Sequence, residues 1–335
     1  MPTETARFRE LLASFCGKRI LVAGDLMLDE FVWGKVSRIS PEAPVPIVQV
    51  TGESYYPGGA ANVARNVREF TDCVAVMGTA GSDAPGRRLL ELLQESGVET
   101  CGVHQDAVFS TTVKTRIIAR NQQVVRVDRE HTAPLTDLHA ARAMEYLDRE
   151  IPAVDAIIVT DYGKGFVTQD LADHISRVAS GSGKILVVDP HPYTSLSWRG
   201  ATAVKPNRTE AFLEAGMRVS DVTPPILSDQ GLLEAARRLL ELWEPQSLLI
   251  TLGEHGMLLV QPDVPPHHIS ARGRDIFDVS GAGDTAIAVF TLGLAAGATP
   301  MEAAELANCA SGIAVGKLGT ATVTTAELGA AVAGL

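Results

Sequence analysis

Cysteine is scarce in this sequence, and the arrangement of its four cysteines excludes two common uses. Cys16, Cys73, Cys101 and Cys309 show no C-x-x-C spacing, so we expect neither a disulfide framework nor a cysteine zinc site. No apolar run reaches the roughly 20 residues that cross a bilayer. The charged start of the chain, residues 1–10, lacks the apolar core of a signal peptide. We therefore expect a cytoplasmic protein with no membrane partner.

Several catalytic motifs are also missing. Gly81–Arg88 has the glycine spacing of a phosphate loop but lacks its Lys-Ser/Thr pair, and no G-x-S-x-G motif occurs. No His/Cys cluster has the spacing of zinc ligands. A net charge of −11 argues against nucleic acid as a partner. An anionic substrate would therefore need locally placed Lys or Arg residues.

The sequence does contain apolar, β-branched runs that each end in polar or small residues. They are Arg19–Ala23, Ala156–Val159, Lys184–Val188, Ala201–Val204 and Ser247–Ile250. Amphipathic helical stretches lie between most of them, at Leu135–Arg149, Thr168–Ala179 and Gly231–Trp243. This alternation predicts an α/β fold with a parallel sheet covered on both faces. Ligands of such sheets bind beyond the carboxyl ends of the strands.

Two stretches break this rhythm. Val45–Val50 and Val113–Asp128 alternate between apolar and polar residues, as half-exposed strands do. They predict a small antiparallel sheet that projects as a lid, with its strands inserted around residues 31–51 and 108–129 of a single domain spanning residues 1–335. An apolar lid face would be a natural contact in a homodimer.

The most informative motif is Asp278–Asp284, which runs into the apolar stretch Thr285–Leu294. Gly281, Ala282 and Gly283 at a helix start would leave backbone N–H groups bare, beside the positive end of the helix dipole. The negative charge of Asp284 would repel a phosphate that is bound only by these N–H groups. Asp284 fits instead a base that takes a proton from a hydroxyl attacking a phosphoryl group, which predicts phosphoryl transfer to an alcohol.

Other interpretations of this motif remain. Gly281–Ala286 formally fits the dinucleotide fingerprint G-x-G-x-x-A, although the preceding residues make a poor buried strand and position 301 is Met, not an acid. Asp284 could also be only a first-turn helix acid. A dinucleotide-dependent oxidoreductase and a non-catalytic nucleotide sensor are therefore the alternatives to a kinase.

Further polar segments have both a structural and a functional interpretation. Gly58-Gly59 before Asn62 is either an ordinary helix start or a close approach for a ligand. Asn207 and Glu210 have capping-box spacing, and could also hold the water shell of Mg²⁺.

Lys164, between two glycines beyond a strand, suits an anion. Arg120-Asn121-Gln122-Gln123 is a dense set of donors or a polar hairpin, and Thr251–Gly256 is a glycine turn at a strand end.

These residues together resemble the ribokinase-type (phosphofructokinase-B) family of sugar kinases over nearly the whole chain. The two signatures of the family match Gly58–Ala64 and Asp278–Asp284. The resemblance implies a three-layer sandwich with a mostly parallel sheet and a β-sheet lid. It also implies ATP and Mg²⁺, with K⁺ as a further cation.

The resemblance also assigns roles to individual residues. Asp284 is the implied base, with Gly281, Ala282 and Gly283 as the anion hole. The implied sugar-binding residues include Asp29, Gly58, Gly59 and Asn62. The implied nucleotide-binding residues are Asn207, Arg208, Thr209, Glu210, Thr251, Gly253, Gly256 and Asn308, of which Asn207 and Glu210 also serve Mg²⁺ through water.

Within the family, three segments resemble the D-glycero-β-D-manno-heptose 7-phosphate kinases. They are Ser37–Pro46, Arg120–Gln123 and Gly316–Thr320. This implies phosphorylation of the anomeric hydroxyl of the heptose phosphate, in lipopolysaccharide core synthesis, with Arg120, Gln122 and Lys164 facing the sugar. A kinase of another sugar, such as ribose or a fructose phosphate, is the alternative. The chain stops at Leu335 and so resembles the stand-alone form. His191 stands where this subgroup is expected to carry a lysine.

Overall fold

The structure, a computed structural model, describes residues 4–120, 122–272, 279–317 and 319–333. Within these residues the strands are β1 (Arg19–Gly24), β2 (Leu26–Ile39), β3 (Pro46–Gly59), β4 (Cys73–Gly81), β5 (Glu99–Asp106), β6 (Thr112–Ala119), β7 (Gln122–Arg129), β8 (Ala156–Thr160), β9 (Ile185–Asp189), β10 (Ala203–Val204), β11 (Ser247–Thr251), β12 (Met257–Gln261) and β13 (Val264–Ile269). The helices are α1 (Glu4–Ala13), α2 (Ala60–Arg68), α3 (Ala84–Glu95), α4 (Asp137–Glu150), α5 (Gln169–Gly181), α6 (Arg208–Glu214), α7 (Gln230–Trp243), α8 (Ala282–Ala295), α9 (Pro300–Ala314) and α10 (Thr325–Val332).

Nine of these strands form a central sheet in the order β13-β12-β11-β10-β9-β8-β1-β4-β5. The strands from β11 to β5 are parallel, and β12 and β13 extend the sheet antiparallel at one edge. The five strands predicted from apolar runs are all present, as β1, β8, β9, β10 and β11. They are neighbours, and continuous burial on both faces is why their apolar residues are uninterrupted.

Helices cover both faces of the central sheet, which gives the three layers predicted for the fold. Along β1, Ile20 and Val22 join a core that includes residues of α1, α2 and α8 to α10. Leu21 and Ala23 point the other way, into a core with α4 to α7. Among the described residues, no helix has both the length and the apolar character that crossing a membrane requires.

A second sheet, here called the lid, contains four strands in the order β3-β2-β6-β7. The outer pairs are antiparallel, but β2 and β6 are parallel. The lid therefore differs from the short antiparallel sheet that we expected. Strand β2 begins at Leu26, inside a run of buried residues, and its first half lacked the alternation that would have revealed it.

The parallel arrangement brings several polar residues to one edge of the central sheet. Asp25 follows β1, Asp161 follows β8, Asp189 ends β9 and Lys205 follows β10. These residues share an edge because all four strands point the same way. The candidate site is assembled along this edge, beneath the lid.

Candidate active site

Helix α8 begins where the glycine-rich motif predicted a helix start. Its N-cap, Gly281, has a φ of 80°, a left-handed conformation that side chains disfavour. A Cβ atom at Gly281 would also lie 3.2 Å from Nδ2 of Asn62. Glycine at this position therefore lets the start of α8 approach α2, and it places Asp284 in the first turn of α8.

The carboxylate of Asp284 is held by two donors from different elements. The hydroxyl of Tyr162 donates to Oδ1 at 2.7 Å, and Nδ2 of Asn62 donates to Oδ2 at 2.6 Å. Burial raises the pKa of Asp284 to about 6, although these two hydrogen bonds act in the opposite direction. A carboxylate with this pKa is more basic than an ordinary aspartate and is still ionised at neutral pH.

The glycine-rich turn departs from the expected anion hole in one respect. The N–H group of Ala282 donates to the carbonyl of Val279 at 3.3 Å, so the prediction that this group is bare is wrong. The bond forms because the turn before α8 closes on itself, as helix N-termini often do. Asp278, the first residue of the motif, lies outside the described residues.

A buried ion pair lies next to this turn. Nζ of Lys205 is 3.0 Å from the Asp189 carboxylate and would be 3.7 Å from a Cβ atom at Gly283. Burial lowers the pKa of Lys205, but the charges of Asp189 and Glu210 outweigh this effect and leave the pKa raised. Lys205 is therefore a fixed positive charge beside the helix start that carries Asp284.

An open cleft of about 800 Å³ extends from Tyr162 and Gly283 along the ends of β9 to β11. It is lined by all of the residues predicted to bind nucleotide: Asn207, Arg208, Thr209, Glu210, Thr251, Gly253, Gly256 and Asn308. At its far end Gly256 has a φ of 87°, and a Cβ atom there would lie 2.0 Å from the carbonyl oxygen of Ile269. Glycine is required at that position by the contact with β13.

Several of the residues lining the cleft also have structural contacts. Asn207 accepts a hydrogen bond from the N–H of Glu210 at 3.0 Å, and the Glu210 carboxylate accepts one from the N–H of Asn207 at 2.7 Å, which confirms the capping box. Nδ2 of Asn308 donates to the carbonyl of Ser270 at 2.8 Å.

Arg208 also lines the cleft, but its guanidinium points elsewhere. It lies 2.9 Å from the Asp229 carboxylate and donates to the carbonyls of Ser220 and Asp221. This side chain is nearly buried and anchors the segment before α7. The structure therefore turns the Arg208 guanidinium away from the position predicted for it beside a nucleotide.

The sugar-side residues meet beneath the lid. The Arg116 guanidinium, on β6, donates to the carboxylate of Asp29, on β2. A Cβ atom at Gly58 would lie 2.6 Å from Oδ2 of Asp29, so this glycine makes room for the carboxylate. Asn62, which contacts Asp284, follows in α2. The structure thus brings Asp29, Gly58, Gly59 and Asn62 to the same place, as predicted.

Three basic side chains form a group at the edge of the lid, here called the cationic cluster: Lys114, Lys164 and His191. Lys114 pairs with Asp29 across β2 and β6. Burial lowers the pKa of Lys114, and the charge of Lys164 lowers it further. Burial likewise lowers the pKa of His191, with smaller contributions from the two lysines. Nζ of Lys164 lies 2.8 Å from the Glu130 carboxylate.

Asp25 holds the loop that carries Tyr162 and Lys164. Its carboxylate accepts backbone N–H bonds from Tyr162 at 2.9 Å, Lys164 at 3.0 Å and Phe166 at 3.1 Å. Because one buried carboxylate binds three N–H groups of a single loop, the tyrosine that contacts Asp284 and the lysine of the cationic cluster are positioned together.

Arg120 and Gln122 are not brought to the other sugar-side residues. They flank the hairpin between β6 and β7, where Ala119 pairs with Gly34, five positions beyond the pair of Lys114 with Asp29. At about 3.3 Å per residue this is roughly 17 Å along the strand. Their contact with the sugar therefore stays a prediction. Asn121 lies outside the described residues.

Sequence reasoning did not identify several residues of this site. Tyr162, Asp25 and Asp189 were visible only as polar residues after strands, and Lys205 had the same signal. Lys114 and Arg116 alternate along β6 toward Asp29, which would have been a usable signal if the pairing of β6 with β2 had been known.

The fold and this site define a class of protein. A basic carboxylate lies between the group of residues around Asp29 on the lid and an open cleft at the ends of parallel strands, as in a kinase that phosphorylates a small alcohol.

The family comparison specifies the class. Residues 18–327 match the model described as "pfkB family carbohydrate kinase", and the chain belongs to this family.

Known relatives and solved structures agree with this assignment. The chain is 42% identical over 314 residues to the bifunctional protein HldE of Desulfatibacillum aliphaticivorans, which covers 94% of this chain and 63% of that protein. The structure of Arabidopsis thaliana ribokinase complexed with ribose and ATP has a TM-score of 0.72 at 16% identity, covering 94% of this chain and 98% of that one. Phosphofructokinase-2 from Escherichia coli in complex with substrates and products has a TM-score of 0.74 at 20% identity. That match covers 95% of this chain and 99% of the phosphofructokinase chain. These two likenesses concern the fold.

The chain spans less than two thirds of the length of the curated relatives that it matches, 63% and 62% of the first two.

Proposed function

We propose that the chain transfers the γ-phosphoryl group of ATP to the anomeric hydroxyl of D-glycero-β-D-manno-heptose 7-phosphate, giving the heptose 1,7-bisphosphate. The sugar lies under the lid beside Asp29 and Asn62, and ATP lies in the cleft. The similarity of three sequence segments to the heptose 7-phosphate kinases supports this choice of sugar, as does the identity with HldE proteins over most of the chain.

Asp284 acts as the general base in this proposal. As the sugar oxygen bonds to the γ-phosphorus and the bond from that phosphorus to the ADP oxygen breaks, the hydroxyl proton passes to the Asp284 carboxylate. Asn62 and Tyr162 keep the carboxylate oriented between the sugar and the cleft. The start of α8 and the fixed charge of Lys205 stabilise the negative charge on the transferring group.

The cationic cluster is the observation that favours a phosphorylated sugar. The chain carries a net charge of −11, yet the charge of Lys164 lowers the pKa of Lys114, and both lysines lower the pKa of His191. The repulsion between the two lysine charges is relieved when a dianionic phosphate lies beside them. The cluster neighbours Asp29, so a phosphate and a hydroxyl of the same sugar could be held together.

The carboxylates of the cleft suit a magnesium ion bound with ATP. Burial raises the pKa of Asp189 to about 6, and the charge of Glu210 adds to this increase although Lys205 opposes it. Burial also raises the pKa of Glu210. Such excess negative charge on hard oxygen ligands fits Mg²⁺, which would neutralise charge on the phosphates when bound. Glu210 and Asp189 would hold it through water, and Asn207 would orient Glu210.

A homodimer through the lid belongs to the same proposal. Val125 and Val127 of β7 are 46% and 42% exposed, and Val125 lies beside Ile117 and Val32 in the neighbouring strands. By strand alternation this apolar row is on the lid face opposite Asp29. Its exposure in a four-stranded sheet favours burial against a second copy of the chain.

An ADP-release assay with a panel of acceptors tests the proposed reaction. The expected result is the highest kcat/KM with heptose 7-phosphate, compared with fructose phosphates and ribose, and a product that carries phosphate on the anomeric carbon by ³¹P NMR. A higher kcat/KM with a fructose phosphate or with ribose would assign the chain to another acceptor on the same fold. NAD(H) titration by fluorescence distinguishes the oxidoreductase alternative.

A further inference from the structure

Three potential metal ligands meet away from the kinase site. His104 and Asp106 lie on β5, the edge strand of the central sheet, and His139 lies in the first turn of α4. One ligand atom from each residue lies within 4.8 Å of the others. His104 and Asp106 are two positions apart on a strand, so both point toward α4. This group could not be recognised from the sequence, because 33 positions separate Asp106 from His139 and no metal-ligand spacing results.

The distances within the group fit shared coordination better than direct bonding. Nδ1 of His139 lies 3.5 Å from Oδ2 of Asp106. A direct hydrogen bond would be roughly 2.7–3.0 Å long. Two ligands that are each about 2.0–2.1 Å from a tetrahedral metal ion lie about 3.4 Å apart. The rings of His104 and His139 are in contact, with centroids 3.6 Å apart, and one nitrogen of each lies within 4.8 Å of the other.

The surroundings orient these groups and leave one of them without a partner. Oδ1 of Asp106 accepts the N–H of Val108 at 2.8 Å, which fixes the carboxylate with Oδ2 toward His139, as the hydrogen bonds around metal ligands do. Nε2 of His104 is buried and has no hydrogen-bond partner among the described residues. An unpaired buried polar atom is unfavourable unless a ligand satisfies it.

We propose that His104, Asp106 and His139 bind a transition-metal ion of the zinc class and thereby tie the edge strand β5 to helix α4. Two imidazoles and one carboxylate favour Zn²⁺, Co²⁺ or Ni²⁺ over Mg²⁺ and Ca²⁺, which take oxygen ligands. Cavities of about 220 Å³ and 280 Å³ border the group on its two sides, with room for water to complete the coordination. This site is separate from the magnesium that accompanies ATP.

Titration of the chelator-treated full chain with Zn²⁺ by calorimetry tests the site, with Co²⁺ absorption as a second measurement. We expect one saturable site per chain, a tetrahedral Co²⁺ spectrum that Zn²⁺ abolishes, and a higher melting temperature with Zn²⁺. His139→Ala and Asp106→Asn should each weaken Zn²⁺ binding by more than about tenfold, since loss even of groups that only orient ligands costs about that much. Asp106→Asn keeps the side-chain shape, so it remains informative if His139→Ala does not fold.

His174→Ala is the matched control. His174 also pairs with a carboxylate, Asp148 at 3.0 Å, but no third ligand joins them in the described part of the chain. Zn²⁺ affinity equal to that of the wild type is expected in this variant. The proposal fails if the folded wild-type chain shows no saturable Zn²⁺ binding, if His139→Ala and Asp106→Asn bind as tightly as wild type, or if His174→Ala loses the ion as well.

Discussion

The hydroxyl of Tyr162 donates a hydrogen bond of 2.7 Å to Oδ1 of Asp284. Burial, and then the charge of Asp284, raises the pKa of Tyr162 well above its ordinary value, so the phenol stays protonated and the bond keeps one direction. One oxygen of the proposed base is therefore always held by Tyr162, and the other by Asn62. This arrangement fixes the carboxylate without supplying it with a full counter-charge, which leaves it basic.

Replacement of the base is the first test. Asp284→Asn keeps the shape of the side chain but cannot accept the sugar proton, so kcat should fall by on the order of 10²–10⁴. ATP affinity should change little, because the residues that line the cleft are untouched. Steady-state kinetics and nucleotide titration measure the two effects. A kcat close to that of the wild type would exclude Asp284 as the base.

The pH dependence of catalysis gives a second test. The pKa of Asp284 is about 6 and the base works when deprotonated, so kcat should fall as the pH drops below about 6. Tyr162→Phe removes a hydrogen bond that favours the ionised carboxylate, so it should move this acid limb to higher pH. Tyr193→Phe is the control, because Tyr193 is 78% exposed. An acid limb that does not move in Tyr162→Phe would show that Tyr162 does not set the basicity of Asp284.

The sequence predicted the central sheet better than the lid, for a physical reason. Strands such as β8 are buried on both faces, and their continuous apolar runs are recognisable without knowing what they pair with. Strand β2 passes from the core into the lid, so its pattern changes along its length from buried to exposed and matches no single template. Strand β7 is exposed throughout, and only its alternation marked it.

The candidate site was likewise predicted only in part, because some of its residues belong to local motifs and others are brought in by tertiary contacts. Asp284, Asn62 and Asp29 belong to motifs that are local in sequence, and they were predicted. Tyr162 and Lys205 act through contacts with residues about 80–120 positions away, which only the order of strands creates. The separation of Arg120 from Asp29 could not be predicted, because it depends on the register of β6 with β2.

The cationic cluster can be tested by removing one charge at a time. Lys114→Ala and Lys164→Ala should each raise KM for a phosphorylated sugar by about tenfold or more, since a hydrogen bond to a charged group contributes about 1.5–3 kcal/mol. An unphosphorylated sugar should be affected much less. Lys35→Ala provides the comparison, because Lys35 is an exposed lysine of the same lid strand that carries Asp29. Equal increases in KM for both kinds of sugar would show that these lysines do not contact the phosphate.

Substitutions at Lys205 and Asp189 test whether the ion pair between these residues stabilises the fold. Lys205→Met leaves the Asp189 carboxylate, which is partly buried at the border of the cleft, without its partner, so the free energy of unfolding should fall by about 1–3 kcal/mol. The double variant Asp189→Asn/Lys205→Met should recover part of this loss, because no unpaired charge remains. Denaturant unfolding of four proteins, the wild type, Lys205→Met, Asp189→Asn and the double variant, measures the cycle. A single variant as stable as the wild type would contradict the pairing.

The last prediction concerns dimerisation through the exposed apolar row of the lid. If Val125 is buried against a second copy of the chain, Val125→Lys places a charge in that contact and should shift the protein from dimer to monomer in sedimentation velocity. Val219→Lys is the matched control, since Val219 is 40% exposed but lies outside the lid. Both variants should keep the circular dichroism of the wild type, because both positions are exposed in one chain. The lid contact is ruled out if wild-type protein sediments as a monomer at all concentrations, or if Val125→Lys remains as dimeric as Val219→Lys.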